Sequence, residues 1–190
     1  MVTAGETTPF AHAPTAKRHG DPVDSLELRR ALGSFATGVA VVTARLPDGR
    51  RAGITVNSFS SVSLDPPLVL WSLARTSPSI DVFRDATHFG VSVLARDQQT
   101  ISHRFSRWAS DKFAGVALVE NEHRIPLIDG ALAHFHCRRE YLNAGGDHVV
   151  IFGRVESFRQ WPRDPLVYFR GGYASVHGDA PAPHGIHDGT

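Results

Sequence analysis

Three short segments of this 190-residue chain carry residue types suited to holding a ligand. The first is Thr55-Val56-Asn57-Ser58-Phe59-Ser60-Ser61, which sets hydroxyls, an amide and backbone directly after a β-type run. Such a set offers many hydrogen bonds to a planar ligand with polar edges. From periodicity alone the favoured reading is a Ser/Asn turn that satisfies its own backbone. The second is Thr76-Ser77-Pro78-Ser79, read as a helix start with Ser77 as N-cap and Pro78 next. Free backbone N–H groups there can bind phosphate, a reading that Arg75 and Arg84 strengthen slightly, but ordinary capping is the favoured one. The third is Gly145-Gly146-Asp147-His148, where glycines allow close backbone approach and an acid precedes a histidine at a strand entrance. Asp147 can steer the imidazole toward a ligand, or the His is merely exposed on a hairpin turn.

Other chemistry is poorly supported. His134-x-His136 puts two imidazoles on one strand face, a spacing found in metal sites. No third ligand lies near in sequence, and His184 and His187 fall in a tail expected to be disordered. A solvated or stacked pair is the favoured reading, and no metal is expected. There is no Gly-x-Ser-x-Gly elbow, no Rossmann glycine fingerprint and no P-loop. The lone cysteine, Cys137, excludes an intrachain disulfide and reads as an inert buried thiol.

The elements that must position these segments are mostly strands. Asp24 and Glu27 predict a helix-starting capping box, with Leu28, Ala31, Leu32 and Phe35 on one face and Thr37-Gly38 as the stop. Val39–Ala44 and Arg51–Val56 flank Pro47-Asp48-Gly49 as a hairpin. Asn57–Ser63 reads as polar connection, Leu68–Leu73 as a buried strand, and Pro78 to about Arg84 as a short helix. Phe89–Leu94 is a strand and Asp97–Phe105 a helix. In Ala131–Tyr141, Ala131, Ala133, Phe135 and Cys137 share one face, while Leu132, His134, His136 and Arg138 share the other. Val149–Phe158 follows, with Gly153 as a bulge or close-approach point, and Pro165–Phe169 is a last short strand. Many short strands without a βαβ rhythm predict a mainly β (α+β) fold, an antiparallel barrel with short peripheral helices.

Length and an ordinary apolar fraction of 42% fit one domain with a full core, taken as 23–176 between a disordered leader (1–22) and tail (177–190). A net charge of +1 gives no basis for a nucleic-acid or membrane partner. No apolar h-region opens the chain, and with one cysteine the expected location is cytoplasmic.

Several motifs, in order, carry a family resemblance. Leu32-Gly33-Ser34-Phe35-Ala36-Thr37-Gly38-Val39-Ala40-Val41-Val42-Thr43 resembles the opening of the flavin reductase-like, FMN-binding split-barrel family. Thr55 through Leu68, Asp111-Lys112-Phe113-Ala114-Gly115-Val116, Gly146-Asp147-His148, Gly153-Arg154-Val155 and Leu166 through Tyr173 continue it. The resemblance implies a homodimer with flavin near the subunit interface. It implies hydride transfer from NADH or NADPH to FMN or FAD, and delivery of the reduced flavin to a partner monooxygenase.

By the same resemblance, Thr55, Asn57 and Ser58 meet the isoalloxazine and ribityl groups. Ser60, Ser61, Ser77 and Ser79 follow the ribityl chain and phosphate, and Lys112 and Phe113 close over the cofactor. Phe59, Ser72, Arg84 and Asp111 complete the flavin set; His148, Tyr168, Arg170 and Gly171 form the nicotinamide side. No protein acid or base is needed, because hydride passes from nicotinamide C4 to flavin N5 and the protein supplies placement. Trp71-Ser72 departs from the family pattern and is expected to narrow the pocket. Two rivals stand beside this reading: a pyridoxamine-phosphate-oxidase-like enzyme, and a flavin-binding or electron-carrying protein without reductase activity.

Overall fold

The computed structural model describes residues 22–120 and 123–176; the expected leader as far as Asp21 and the tail with His184 and His187 lie outside the described residues. Helix α1 (Ser25–Leu32) precedes strands β1 (Thr37–Gly38), β2 (Ala40–Arg45), β3 (Arg51–Val56), β4 (Ser60–Leu64) and β5 (Pro67–Ala74). Helix α2 (Ile80–Asp85) and β6 (His88–Val93) follow, then a 3₁₀ turn (Arg96–Gln98) that runs into α3 (Gln99–Ser106). Strands β7 (Leu118–Glu120), β8 (Pro126–Ile128), β9 (Ala133–Gly145), β10 (His148–Gln160), β11 (Val167–Phe169) and β12 (Gly172–Ala174) complete the described elements.

Seven strands form one antiparallel sheet in the order β3-β2-β6-β9-β10-β5-β4. Its inner face wraps a single core to which β2, β3, β5, β6, β9 and β10 all contribute, among them Val42, Val56, Trp71, Phe89, Cys137 and Ile151. The edge strands β3 and β4 are joined by Asn57–Phe59 but share no ladder, so the barrel is split there. A second cluster, with Val39, Val41, Leu94, Phe105, Phe113 and Leu166, packs outside the barrel under α3 and the β1-β11-β12 sheet. Strand β2 is buried along nearly its whole length because Val42 faces one cluster and Val41 the other. This shared strand makes the two clusters one domain.

Several local expectations meet a different outcome. Asp24 does cap α1, its Oδ1 accepting Glu27 N–H at 2.8 Å. The predicted apolar face of α1 is not covered, however: Leu32 is 66% and Phe35 78% exposed. Thr37-Gly38 is not simply a helix stop but a two-residue strand paired with β11. Asn57–Ser63 is not all connection, since Ser60–Leu64 forms an edge strand along β5. Helix α2 starts at Ile80 with Ser79, not Ser77, as N-cap. Trp71 lines no ligand pocket; it is fully buried, edge-on to Phe83 at 4.9 Å and to Phe89 at 5.9 Å. Gly153 does sit at a register shift, and a Cβ there would meet the Phe89 ring at 2.4 Å. Among the described residues no helix is long and apolar enough to cross a membrane.

Candidate functional site

The end of β3 and the beginning of the following link open into a 550 Å³ cavity lined by Thr55, Val56 and Asn57. Tyr168, Gly171, Gly172 and Tyr173 form its opposite wall. The remaining wall is one face of α3: Gln99, Ser102, His103 and Ser106, at the three- and four-residue spacing of helical neighbours. Hydroxyls lock these walls together. Thr55 Oγ1 donates to the Ser102 carbonyl at 2.7 Å, and Ser102 Oγ lies 2.7 Å from the Tyr173 hydroxyl. His103 meets the Tyr173 ring edge-on at 5.1 Å. Thr55, Asn57, Tyr168 and Gly171 are thus four of the sequence-predicted residues brought into one cavity. The α3 residues and Tyr173 were missed, although a polar stripe at 99, 102, 103 and 106 is readable from the sequence.

The β11–β12 hairpin that carries Tyr168 and Tyr173 is tightly held. Its turn residues Arg170 and Gly171 both have positive φ, 48° and 83°, the requirement of a type I′ turn. Arg170 tolerates that backbone because its N–H donates to Gly33 O at 2.8 Å and its guanidinium lies over the Phe169 ring at 5.0 Å. Next to it, Thr37 pairs with Tyr168, and Thr37 Oγ1 is buried with no protein partner.

The start of β3 borders a second cavity of 340 Å³, lined by Arg51, Ser79, Ser110, Asp111, Lys112 and Phe113 among others. Lys112 Nζ donates to Gly53 O at 3.2 Å and to Phe105 O at 3.0 Å, and its burial lowers the ammonium pKa. Two of its three N–H donors are therefore placed on carbonyls. Phe113 is a core residue, edge-on to Phe105 at 5.1 Å with the Arg51 guanidinium over its ring at 4.5 Å. Asp111 accepts the Phe113 amide at 2.9 Å and pairs with Arg51. Gly53 is required here, because a Cβ would come within 2.5 Å of the Phe105 ring.

The remaining predicted residues lie elsewhere. Ser58 Oγ accepts the Ser72 N–H at 3.0 Å, so this pair closes on itself. Phe59 packs into the barrel core, 5.5 Å from Phe135. Ser60 and Ser61 are exposed on the edge strand β4. Ser77 Oγ accepts the Ser79 amide at 3.3 Å, and Arg84 pairs with Asp81 on the outside of α2. His148 begins β10 opposite Ala74, with Nδ1 donating to Asp147 Oδ1 at 2.8 Å. That contact lowers the Asp147 pKa. His148 lines neither cavity.

His134 and His136 do share a face and line a larger groove of 820 Å³ with Phe158 and Trp161. None of the three ligand-type segments reaches that groove. His134 is neither solvated nor stacked on His136: it is buried, donates from Nε2 to Ile128 O at 2.8 Å and meets Trp161 edge-on. Burial pushes the Cys137 thiol up to about 12, which keeps it protonated and inert.

Residues 32–177 match the model of the flavin reductase like domain. The chain is 46% identical over 150 residues to an FMN reductase (NADH), SmoA, of Agrobacterium fabrum, covering 79% of this chain and 85% of that one. It is also 46% identical over 147 residues to the reductase component of a flavin-dependent trigonelline monooxygenase of Acinetobacter baylyi. That match covers 77% of this chain but only 47% of the relative, so the chain spans about half the length of that protein. Among solved structures, the NADH:FAD oxidoreductase SgcE6 of Streptomyces globisporus, in complex with NAD and FAD fragments, superposes with a TM-score of 0.80 at 37% identity. It is covered over 99% of its length and covers 86% of this chain.

Proposed function

Because the chain belongs to the flavin reductase-like family, we propose that it is an NAD(P)H-dependent flavin reductase that supplies reduced FMN or FAD to a partner monooxygenase. The observation that carries the reading is the cavity where Thr55 and Asn57 meet Tyr168 and Gly171, two separate family motifs on one ligand-sized space. The donor set fits a flavin with its nicotinamide partner: aromatic walls for planar rings, hydroxyls and an amide for polar edges, and a buried Thr37 hydroxyl beside Tyr168 lacking a protein partner. When bound, the flavin accepts a hydride from the reduced nicotinamide. The chain's own part is to orient the two rings and exclude water.

Tyr168 and Tyr173 wall the ring-binding end, held by Ser102 and by the Arg170-Gly171 turn. Lys112, Arg51 and Ser79 offer cationic and hydroxyl groups for a phosphate at the start of β3. The working form is a homodimer, and a second chain completes the site around Ser60, Ser61 and His148. Supporting this are large apolar side chains left open on one protomer, including Phe35 at 78% and Leu64 at 93% exposure. A single buried cysteine suits a cytoplasmic enzyme supplied with NADH.

Steady-state NADH and NADPH oxidation by the purified protein, with and without added FMN, FAD and riboflavin, tests the function. Turnover that rises with free flavin is expected. Absence of turnover with every flavin and both nicotinamides overturns the enzyme reading. Sedimentation at micromolar concentration tests the dimer; an active monomer overturns it.

A further inference from the structure

We propose that His88, His123 and Glu156 form a binding site for a divalent transition metal of the zinc class, separate from the flavin and nicotinamide residues. Their donor atoms all lie within 4.8 Å of one another. His88 Nε2 is 3.5 Å and His123 Nε2 4.0 Å from the same Glu156 oxygen, Oε2. Ligands about 2.0–2.1 Å from a tetrahedral zinc sit roughly 3.3 Å from each other. The His88–Glu156 edge is therefore close to coordination spacing already, and only His123 must move appreciably. Its ring is stacked on His88 with centroids 4.1 Å apart and planes 19° from parallel. A shared ion needs each ring's in-plane lone pair, so His123 tilts out of the stack; as the most exposed of the three side chains, at 41%, it is the one able to do so.

Each donor is aimed by a separate feature of the backbone or its surroundings. The Nδ1 of His88 lies 2.9 Å from Thr87 Oγ1. With the Nδ1 proton on that hydroxyl, Nε2 turns its lone pair toward Glu156, as in metal-binding histidines oriented through their other nitrogen. Glu156 is the extra residue of a β-bulge: β10 pairs Val155 with Cys137 and then Ser157 with His136, leaving Glu156 opposite no residue. Bulges re-aim side chains in this way. The other carboxylate oxygen, Oε1, is 3.6 Å from Arg138 Nε, so the carboxylate presents Oε2 alone to the imidazoles. His123 is followed by Arg124, whose φ of 56° lies in the left-handed region, and both residues line the same cavity as His88. Two imidazoles and one carboxylate make a zinc-type donor set with a fourth position open. Both imidazoles also line a 430 Å³ cavity with Arg45 and Arg124, which leaves room for a water or an anionic oxygen as the fourth ligand.

The test is equilibrium dialysis of the untagged full-length protein against zinc, with visible spectra of the cobalt-loaded protein as a second readout. Saturable binding of one ion per chain is expected, with cobalt bands of tetrahedral intensity and no thiolate charge-transfer band. His123→Ala and Glu156→Gln should each weaken zinc binding by at least about tenfold. Their surface positions leave the thermal melt of the metal-free protein close to wild type. His134→Gln and a His184→Ala/His187→Ala double variant should bind zinc as wild type does. Absence of saturable binding overturns the proposal. So does binding that survives both His123→Ala and Glu156→Gln, or that is lost only with the control histidines.

Discussion

Ser58 and Ser72 hold each other beside the split in the barrel, where the β3–β4 link meets β5: Ser58 Oγ accepts the Ser72 amide at 3.0 Å and donates to its carbonyl at 3.4 Å. The β4–β5 ladder ends at the Ser60–Leu70 pair, and the Ser58 side chain continues it where backbone pairing has stopped. It fixes the link that carries Asn57 to the cavity. Ser58→Ala should cost about 1–3 kcal/mol of stability, the penalty for a half-buried amide left without a partner. Urea unfolding with an unchanged m-value would measure it. Unaltered stability together with lost flavin affinity would mean that the hydroxyl serves the ligand instead.

Selection for phosphorylated flavins is expected at Ser77 and Ser79. Removing both hydroxyls should weaken FMN binding more than riboflavin binding, with each charge-assisted bond worth on the order of 1.5–3 kcal/mol. Fluorescence titration with the two flavins makes the comparison. Equal losses would put the phosphate elsewhere.

Nicotinamide recognition has two candidate imidazoles. His148 stands at the β9–β10 hairpin with Asp147, whereas His103 lies in the cavity against Tyr173. If His148 serves NADH, His148→Ala should lower kcat/KM for NADH by about ten- to a hundredfold, roughly 1.4–2.7 kcal/mol, with little change in flavin affinity. The same loss in His103→Ala, with His148→Ala unaffected, would assign the nicotinamide to the α3 wall.

Acid should destabilise the protein partly through His134. Its imidazole is buried against Trp161, and burial lowers its pKa below the ordinary 6.5. Between the lowered folded value and 6.5 the unfolded chain binds more protons than the folded one, so stability falls as pH falls through that window. Thermal melts across it should show His134→Gln with a flatter pH dependence than wild type. Parallel curves would remove His134 from the acid response.

The sequence alone determined the architecture. Alternating strands such as Phe89–Leu94 and Ala131–Tyr141 announce their inward faces, because a period of two leaves only one way to bury Val91 and Cys137. Capping of α1 by Asp24, whose side chain accepts the amide of Glu27 in the first turn, is equally local. The ligand segments were legible as residue types, and the family motifs named their order. The tertiary structure decided which hydroxyls remain for a ligand. Ser58 is turned onto Ser72, and Thr55 onto α3, by partners 14 and 47 residues away in the chain. Trp71 sits inside the core rather than at a pocket, since its face of β5 was fixed by pairing with β10 and β4. The meeting of His88, His123 and Glu156 was invisible for the same reason. Sequence separation of 33 residues or more is bridged only when β6, a loop and a bulge in β10 fold onto one another.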